Sequence, residues 1–510
     1  MSDITQNNKR LAKNTMVLYM RTIFVLVISL YTSRKTLEIL GIDDYGIYNV
    51  VGGFVGLFAI ISQTLVASSQ RFLTFELGKG KNGHSMEVFS TALTIHIVLA
   101  IVLLLVFETF GLWFLNNNLN ISQDRMFATN IIYQFSIITF IVSIIRSPFE
   151  ASIIAHEKMA LFAYLNIFEA ILKLSILFLI SICSTIDSLV QYGFYLMMIS
   201  ILGFCISSFY CRRKFEEISF VFIRELAYYK SMFSFAGYNF LGSVSSIFAN
   251  QGLNILLNIY FGVAVNAARG VANQVYSAVS KFVNDFTLAL NPQITKSYAQ
   301  GDIDYTMSLV YKGSKFSFYL FLLLGLPICL EIHYLLRLWL NIVPRFTEIF
   351  VIWTIATATL NTFALSLSTC AMATGDIKKL SIWLGTLRLL VLPVAYICFE
   401  LGLSAEYAYS ITFVSTAILV FVRLFIVCNQ LNVSAMIFAK KVILRCLFVG
   451  SLSIFSGLLI NLLFDQISFF KLIFEFILIT ISTLTFIVFL GISNSERNMM
   501  FSFIKRKIWK

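Results

Sequence analysis

The chain has 510 residues, 58% of them hydrophobic and only 13% charged, against roughly 45–50% apolar and about 25% charged in soluble domains. With a mean hydropathy of +0.84 and no polar stretch long enough to fold by itself, the composition excludes a water-soluble enzyme and specifies an integral membrane protein. The formal net charge of +12 is expected to serve topology and contact with anionic headgroups, not a nucleic-acid surface.

The chain begins "MSDITQNNKRLAKN", basic residues ahead of an apolar run. Arg21 interrupts that run and no small-residue cleavage site follows, so a retained first helix is expected, not a secretory leader. Spanning helices need about 20 apolar residues. The sequence offers them at 14–37, 46–75, 88–115, 125–150, 161–183 and 189–211, and again at 233–258, 263–295, 313–335, 347–373, 380–400, 406–429, 441–463 and 470–491. The expectation is an all-α integral membrane protein of about 14 spans. The alternating strands of an outer-membrane barrel are absent, which leaves helices as the way to satisfy backbone in lipid.

Lys and Arg alternate between the two sides, as cytosolic loops retain the positive excess. One side collects Lys9, Arg10, Lys13, Lys79, Lys81, Arg146, Lys158, the run Arg212, Arg213, Lys214, Arg224 and Lys230, then Lys296, Lys312, Lys315, Lys378, Lys379, Lys440, Lys441 and Arg445. The tail adds Arg497, Lys505, Arg506, Lys507 and Lys510. The other side holds Arg34, Lys35, Arg269, Arg337, Arg345 and Lys471. Both termini are therefore expected in the cytosol.

An internal repeat appears when the chain is slid on itself by 221 residues. "LGIDDYGIYNVVGGF" then lies over "FGVAVNAARGVANQV", Gly41 meets Gly262, Thr74 meets Thr295, Gly80 meets Gly301 and Met86 meets Met307. "IIAHEKMALF" matches "AMATGDIKKLS" at nearly the same offset. Six spans per copy is an even number, so the copies share one orientation and are expected around a central cavity, the architecture of a rocking transporter. The expected domains are an N-terminal six-helix lobe at 1–211, a cytosolic linker at 212–232, a C-terminal six-helix lobe at 233–429, and two further helices with a basic tail at 430–510.

Charged residues inside spans are the candidates for function, because each costs about 2.5–3.5 kcal/mol at a helix centre on insertion scales. Arg21, Lys281 and Arg71 are expected to face a wet cavity or a counter-ion, with Arg269 near an outer helix end. Two structural readings stand beside this. Lys281 and Asp285 are four residues apart, as are Glu169 and Lys173, so each pair also fits a self-neutralising charge pair on one helix face. Arg71 and Arg269 lie near span ends, where a long side chain also reaches the headgroups. Asp285 and Glu169 are equally compatible with ion coupling or with pairing.

Other chemistry is missing from the pattern. "GKGKNGH" at 78–84 breaks the phosphate-loop spacing. The four His show no metal spacing, the eight Cys are scattered without CxxC, and no cofactor or catalytic constellation is expected. "GGFVG" at 52–56 reads as helix packing.

The stretches "NTMVLYMRTIFVLVISLYTSRKTLEILGIDDYGIYNVVGGFVGLFAIISQTLVASSQRFLTFELGKG" and "SIFANQGLNILLNIYFGVAVNAARGVANQVYSAVSKFVNDFTLALNPQITKSYAQGD" resemble the polysaccharide-transporter branch of the multidrug/oligosaccharidyl-lipid/polysaccharide exporter superfamily, the Wzx-like flippases. The resemblance covers nearly the whole chain. It implies movement of an undecaprenyl-diphosphate-linked oligosaccharide from the cytosolic to the periplasmic leaflet of a bacterial inner membrane, for O-antigen, lipopolysaccharide or capsule synthesis. It also raises a polysaccharide polymerase and a chain-length regulator as partners, besides membrane lipids. On that reading Arg21, Arg269 and Lys281 serve diphosphate or lumen electrostatics and Arg71 the inner mouth. The alternative is a cation-coupled multidrug antiporter of the same superfamily, for which an acidic, aromatic cavity is expected.

Overall fold

A computed structural model describes residues 2–56, 58–118, 122–182, 187–221, 223, 225–340, 343–463, 469–494 and 496–498. Arg224 and the tail cations Lys505, Arg506, Lys507 and Lys510 lie outside these. The described chain is helical, with no strand among the described residues. In chain order come α1 (Ser2–Gly56), α2 (Ala59–Gly78), α3 (Ser85–Val106), α4 (Leu112–Asn118), α5 (Gln123–Ala155), α6 (Met159–Ile182), α7 (Ser188–Lys214), α8 (Leu226–Phe261) and α9 (Val263–Ala299). They are followed by α10 (Ile303–Leu330), α11 (Ile332–Trp339), α12 (Thr347–Thr374), α13 (Lys378–Leu389), α14 (Val391–Glu400), α15 (Tyr407–Leu431), α16 (Ala435–Phe438), α17 (Leu444–Leu462) and α18 (Phe469–Phe486).

Twelve helical segments among the described residues are long and apolar enough to cross a membrane. The two further spans expected from sequence, 46–75 and 263–295, are helical in α1–α2 and in α9 but fall short of that apolarity. They are repeat mates, and α9 carries Arg269, Lys281 and Asp285. The protein is thus a multi-pass membrane protein whose two least apolar spans occupy the same place in each copy.

The repeat is visible in the backbone. α1 breaks at Gly41, whose φ of 77° and ψ of 177° end one helix and start another, and Gly262 separates α8 from α9 with a φ of 79°. These two residues stand at the 221-residue offset, and left-handed φ explains why both are glycine. The Gly80 and Gly301 turns agree as well, with φ of 63° and 77°. Farther on, Glu157 (φ 56°) answers Gly375 (φ 83°).

The chain divides into two compact units, Met1–Ser243 with Thr295–Asp302, and Val244–Ile294 with Ile303–Lys510. This division cuts α8 and α9 rather than the 212–232 segment. In the first unit α5 packs against α3 and α7, burying Phe107, Ile132, Tyr133 and Leu189 in one cluster. In the second, α12 packs against α10 and α15; Phe350 stacks on Tyr409 at 4.2 Å and Phe318 on Phe363 at 4.9 Å. α17 and α18 pack on α10. Lipid offers little hydrophobic drive for helices to associate, so dense packing and internal hydrogen bonds carry that role.

Two of those bonds meet π-helical turns. Residues 107–111 and 487–491 each form one, which displaces backbone from the regular i→i−4 ladder. A tyrosine hydroxyl donates to a carbonyl of each turn: Tyr133 to Phe107 O at 2.8 Å and Tyr319 to Gly491 O at 3.0 Å. An orphan carbonyl in lipid is thereby avoided.

Candidate functional site: charges within the spans

Arg21 lies in the first span, partly buried, with Nη2 donating to Thr22 Oγ1 at 3.1 Å and its guanidinium 5.5 Å from the Phe162 ring centroid. α1 packs along α6, which brings Phe162 to that place. Arg71 sits late in α2 between aromatic faces, 4.6 Å from Phe72, 4.7 Å from Phe75 and 5.7 Å from Phe235. Its cation is held by ring quadrupoles.

On α9, Arg269 is 8% exposed. Its Nη2 donates to the Asn250 carbonyl at 3.0 Å, and the guanidinium lies 6.0 Å from the Tyr409 ring. Lys281 is exposed and makes no ion pair among the described residues, while Asp285 is buried. The Lys281–Asp285 pair considered from their spacing therefore does not form. Lys281 instead belongs to a row: Asn273, Gln274, Ser277, Lys281 and Asn284 are all exposed and recur at three- and four-residue intervals, one side of a helix. A polar, charged stripe on a spanning helix demands water or a polar ligand beside it, because lipid satisfies none of its donors.

Glu169 also departs from its spacing. It accepts from Arg146 Nη1 at 2.5 Å, not from Lys173, which is exposed. Arg146, counted from sequence among the cytosolic loop cations, is 8% exposed within α5 and also holds Glu150 through Nε at 2.7 Å. Gly203 of α7 makes the room. A Cβ there would stand 2.3 Å from Arg146 Nη1 and 2.5 Å from Glu169 Oε1.

Just past the C-terminal end of α5, Glu157 accepts from Arg10 Nε at 2.9 Å and Lys296 Nζ at 3.3 Å, and its carbonyl accepts from Asn14 Nδ2 at 3.2 Å. Beside it His156 stacks on Phe215 at 4.0 Å and contacts Glu217 at 2.6 Å. The glycine at the matching turn, Gly375, adopts the left-handed backbone without strain. At 157 the chain tolerates that strain in a glutamate whose carboxylate ties Arg10 to Lys296. At the opposite end Arg125 binds Asp44 (Nε–Oδ1, 2.9 Å) and Asp187 (Nη1–Oδ2, 2.5 Å).

Sequence reading missed Arg125, Arg388 and Arg423 altogether. The last two were legible as single cations in "GTLRLLVLP" and "VFVRLFIV".

This arrangement of about fourteen helical segments in two repeats, twelve of the described ones apolar enough to cross a membrane, defines a multi-pass membrane protein. Residues 11–298, more than half of the chain, match the model of the family described as polysaccharide biosynthesis protein, and the chain belongs to that family. Among solved structures, a MATE in the straight conformation is similar with a TM-score of 0.70 at 11% identity, over 84% of this chain and 96% of that one. A MOP superfamily transporter from Pyrococcus furiosus, for which reversed polarity of the binding pocket suggests a different function, gives 0.69 at 10% identity over 82% and 96%. The Vibrio cholerae MATE transporter VcmN in the bent form gives 0.68 at 16% identity over 87% and 100%. No curated protein matches the chain.

Proposed function

We propose that the protein is a flippase of the bacterial inner membrane, with both termini cytosolic, moving undecaprenyl-diphosphate-linked oligosaccharide repeat units to the periplasmic leaflet by alternating access of its two repeats. The α9 stripe carries this reading. Each sugar hydroxyl stripped of water without a partner costs about 2 kcal/mol or more, so a glycan needs a wet, hydrogen-bonding path; Asn273, Gln274, Ser277 and Asn284 offer one. Lys281 on the same face suits an anionic headgroup. Arg21 and Arg269 add to that potential, Arg71 stands toward the inner mouth, and Asp285 and Glu169 remain the acids for coupling or pairing. For the Pyrococcus furiosus transporter a reversed polarity of the binding pocket suggests a different function, and here an exposed lysine disfavours the cationic ligands of a multidrug antiporter.

Cells lacking the protein, with no redundant flippase, should accumulate the completed lipid-linked unit on the cytosolic leaflet and lose the surface polysaccharide, while resistance to cationic drugs stays constant. Access of a periplasmic sugar-modifying enzyme to the lipid-linked unit reads the leaflet. Normal access together with lost drug efflux would favour the antiporter.

A further inference from the structure

In each repeat the fourth, fifth and sixth spans meet at one corner, formed by α5, α6 and α7 in the first unit and by α12, α13 and α15 in the second. The first corner neutralises its cation internally: Arg146 has Glu150 and Glu169. The second corner is composed differently. Ala364 stands where the 218-residue offset places the counterpart of Arg146, and Arg388 stands one residue past the counterpart of Glu169.

Arg423, 6% exposed, reaches into that corner from α15 and donates through Nη1 to the Ala364 carbonyl at 3.3 Å. Its Nε is buried with no hydrogen-bond partner. Arg388, half-buried on α13, donates through Nη1 to Ser246 Oγ of α8. α13 packs on α15, where Ser415 Oγ donates to the Leu387 carbonyl at 3.3 Å, so the two arginines stand on neighbouring, contacting helices. Among the described residues neither meets a carboxylate. Arg388 lies ten residues from the start of α13 and Arg423 eight from the end of α15, roughly 12–15 Å into a hydrocarbon layer of about 30 Å.

Two cations at that depth are too costly to stay uncompensated. From this geometry we infer that Arg388 and Arg423, with Ser246, form an anion site in the second unit that takes a phosphoryl dianion, either free phosphate or diphosphate or the headgroup of a phosphorylated lipid. Charge balance selects the class. A halide would leave one cation unmatched, whereas a phosphoryl dianion balances both and offers several oxygens to two planar donor forks. Arg388, the more exposed of the two, is the point of entry. This site shares no residue with the α9 stripe, and its failure would leave the flippase reading standing.

The test uses the full-length protein purified in detergent in a chloride-free gluconate buffer, with radiolabelled inorganic phosphate and diphosphate as probes and thermal unfolding as a parallel readout. Saturable binding and a Tm that rises with either probe are expected, with sodium chloride at equal ionic strength having little effect. Arg423→Met should weaken binding at least ~10-fold without lowering the ligand-free Tm, because it removes a buried charge. Arg388→Glu supplies a carboxylate beside Arg423, as Glu169 does for Arg146, and should fold while losing the anion response. Displacement of bound phosphate by undecaprenyl diphosphate in mixed micelles would assign the site to a lipid headgroup; no displacement would assign it to the free anion. Either source satisfies the inference. A wild-type protein indifferent to both probes, a chloride response equal to that of phosphate, or wild-type binding in both variants would overturn it.

Discussion

Arg125 and Asp187 are joined by two hydrogen bonds, Nη1 to Oδ2 at 2.5 Å and Nη2 to Oδ1 at 3.2 Å, while the same carboxylate caps α7 by accepting from the amides of Leu189 and Val190. Burial alone would raise the Asp187 pKa, but Arg125 and the two amides outweigh it and hold the carboxyl below its ordinary value. A depressed carboxylate contributes stability that is present above its unfolded pKa and is lost as pH falls through the folded one. The protein should therefore lose stability on acidification below the usual carboxylate range. Asp187→Asn, which keeps a capping oxygen but no charge, should flatten that dependence, and Asp187→Ala should lose about 1 kcal/mol more through the missing cap. Melting curves between pH 3 and pH 7 measure both.

Gly203 is the space in which Arg146 meets Glu169. Gly203→Ala should force that pair open and destabilise the first unit by about 1–3 kcal/mol, with Glu169→Gln lying between wild type and Gly203→Ala. The order of the three melting temperatures is the check. A Gly203→Ala protein as stable as wild type would show that the pair tolerates displacement.

Arg21 sits against the Phe162 ring in the first span. Arg21→Ala should leave the protein inserted and abundant while translocation of the lipid-linked unit falls, and Arg21→Lys should restore part of it, since charge matters beyond fork geometry. Membrane abundance by immunoblot and surface polysaccharide by gel separate folding from transport. Normal transport in Arg21→Ala at equal abundance would remove Arg21 from the path.

Water beside α9 is measurable directly. In a background with Cys205→Ser, cysteines placed at Gln274, Ser277 and Lys281 should react with a charged, membrane-impermeant thiol reagent, whereas one at Trp383, exposed on α13, should not. Equal inertness at all four positions would mean that the stripe faces lipid.

Reporter fusions after each span should place the N-terminus, the 212–230 loop and the C-terminus on the cytosolic side. A periplasmic C-terminus would contradict an even number of spans.

The span count, the helical class and the repeat were legible because lipid permits few solutions and because left-handed turns at Gly41 and Gly262 leave a residue type behind. Side-chain partners were not. Glu169 and Lys173 share a helix face, yet the partner of Glu169 comes from α5, since the gap that Gly203 opens on α7 is a tertiary fact with no local signature. Arg146 resembled a loop cation because α5 runs on to Ala155, nine residues beyond it. Arg388 and Arg423 were each a single letter in an apolar run, and only the fold brings them to one corner.

A π turn holds one residue more than the α turn it replaces, so the segment at 107–111 rotates everything after it by about 100°. The offset between the copies falls from 221 at Met86 and Met307 to 218 at Glu157 and Gly375, and this widened turn absorbs one of the surplus residues without interrupting the span. The N-terminal copy thus carries an insertion hidden inside a helix. A chimera exchanging the copies would keep side chains on their proper faces only if its junctions fell before Phe107 or beyond His156, at turns both copies share.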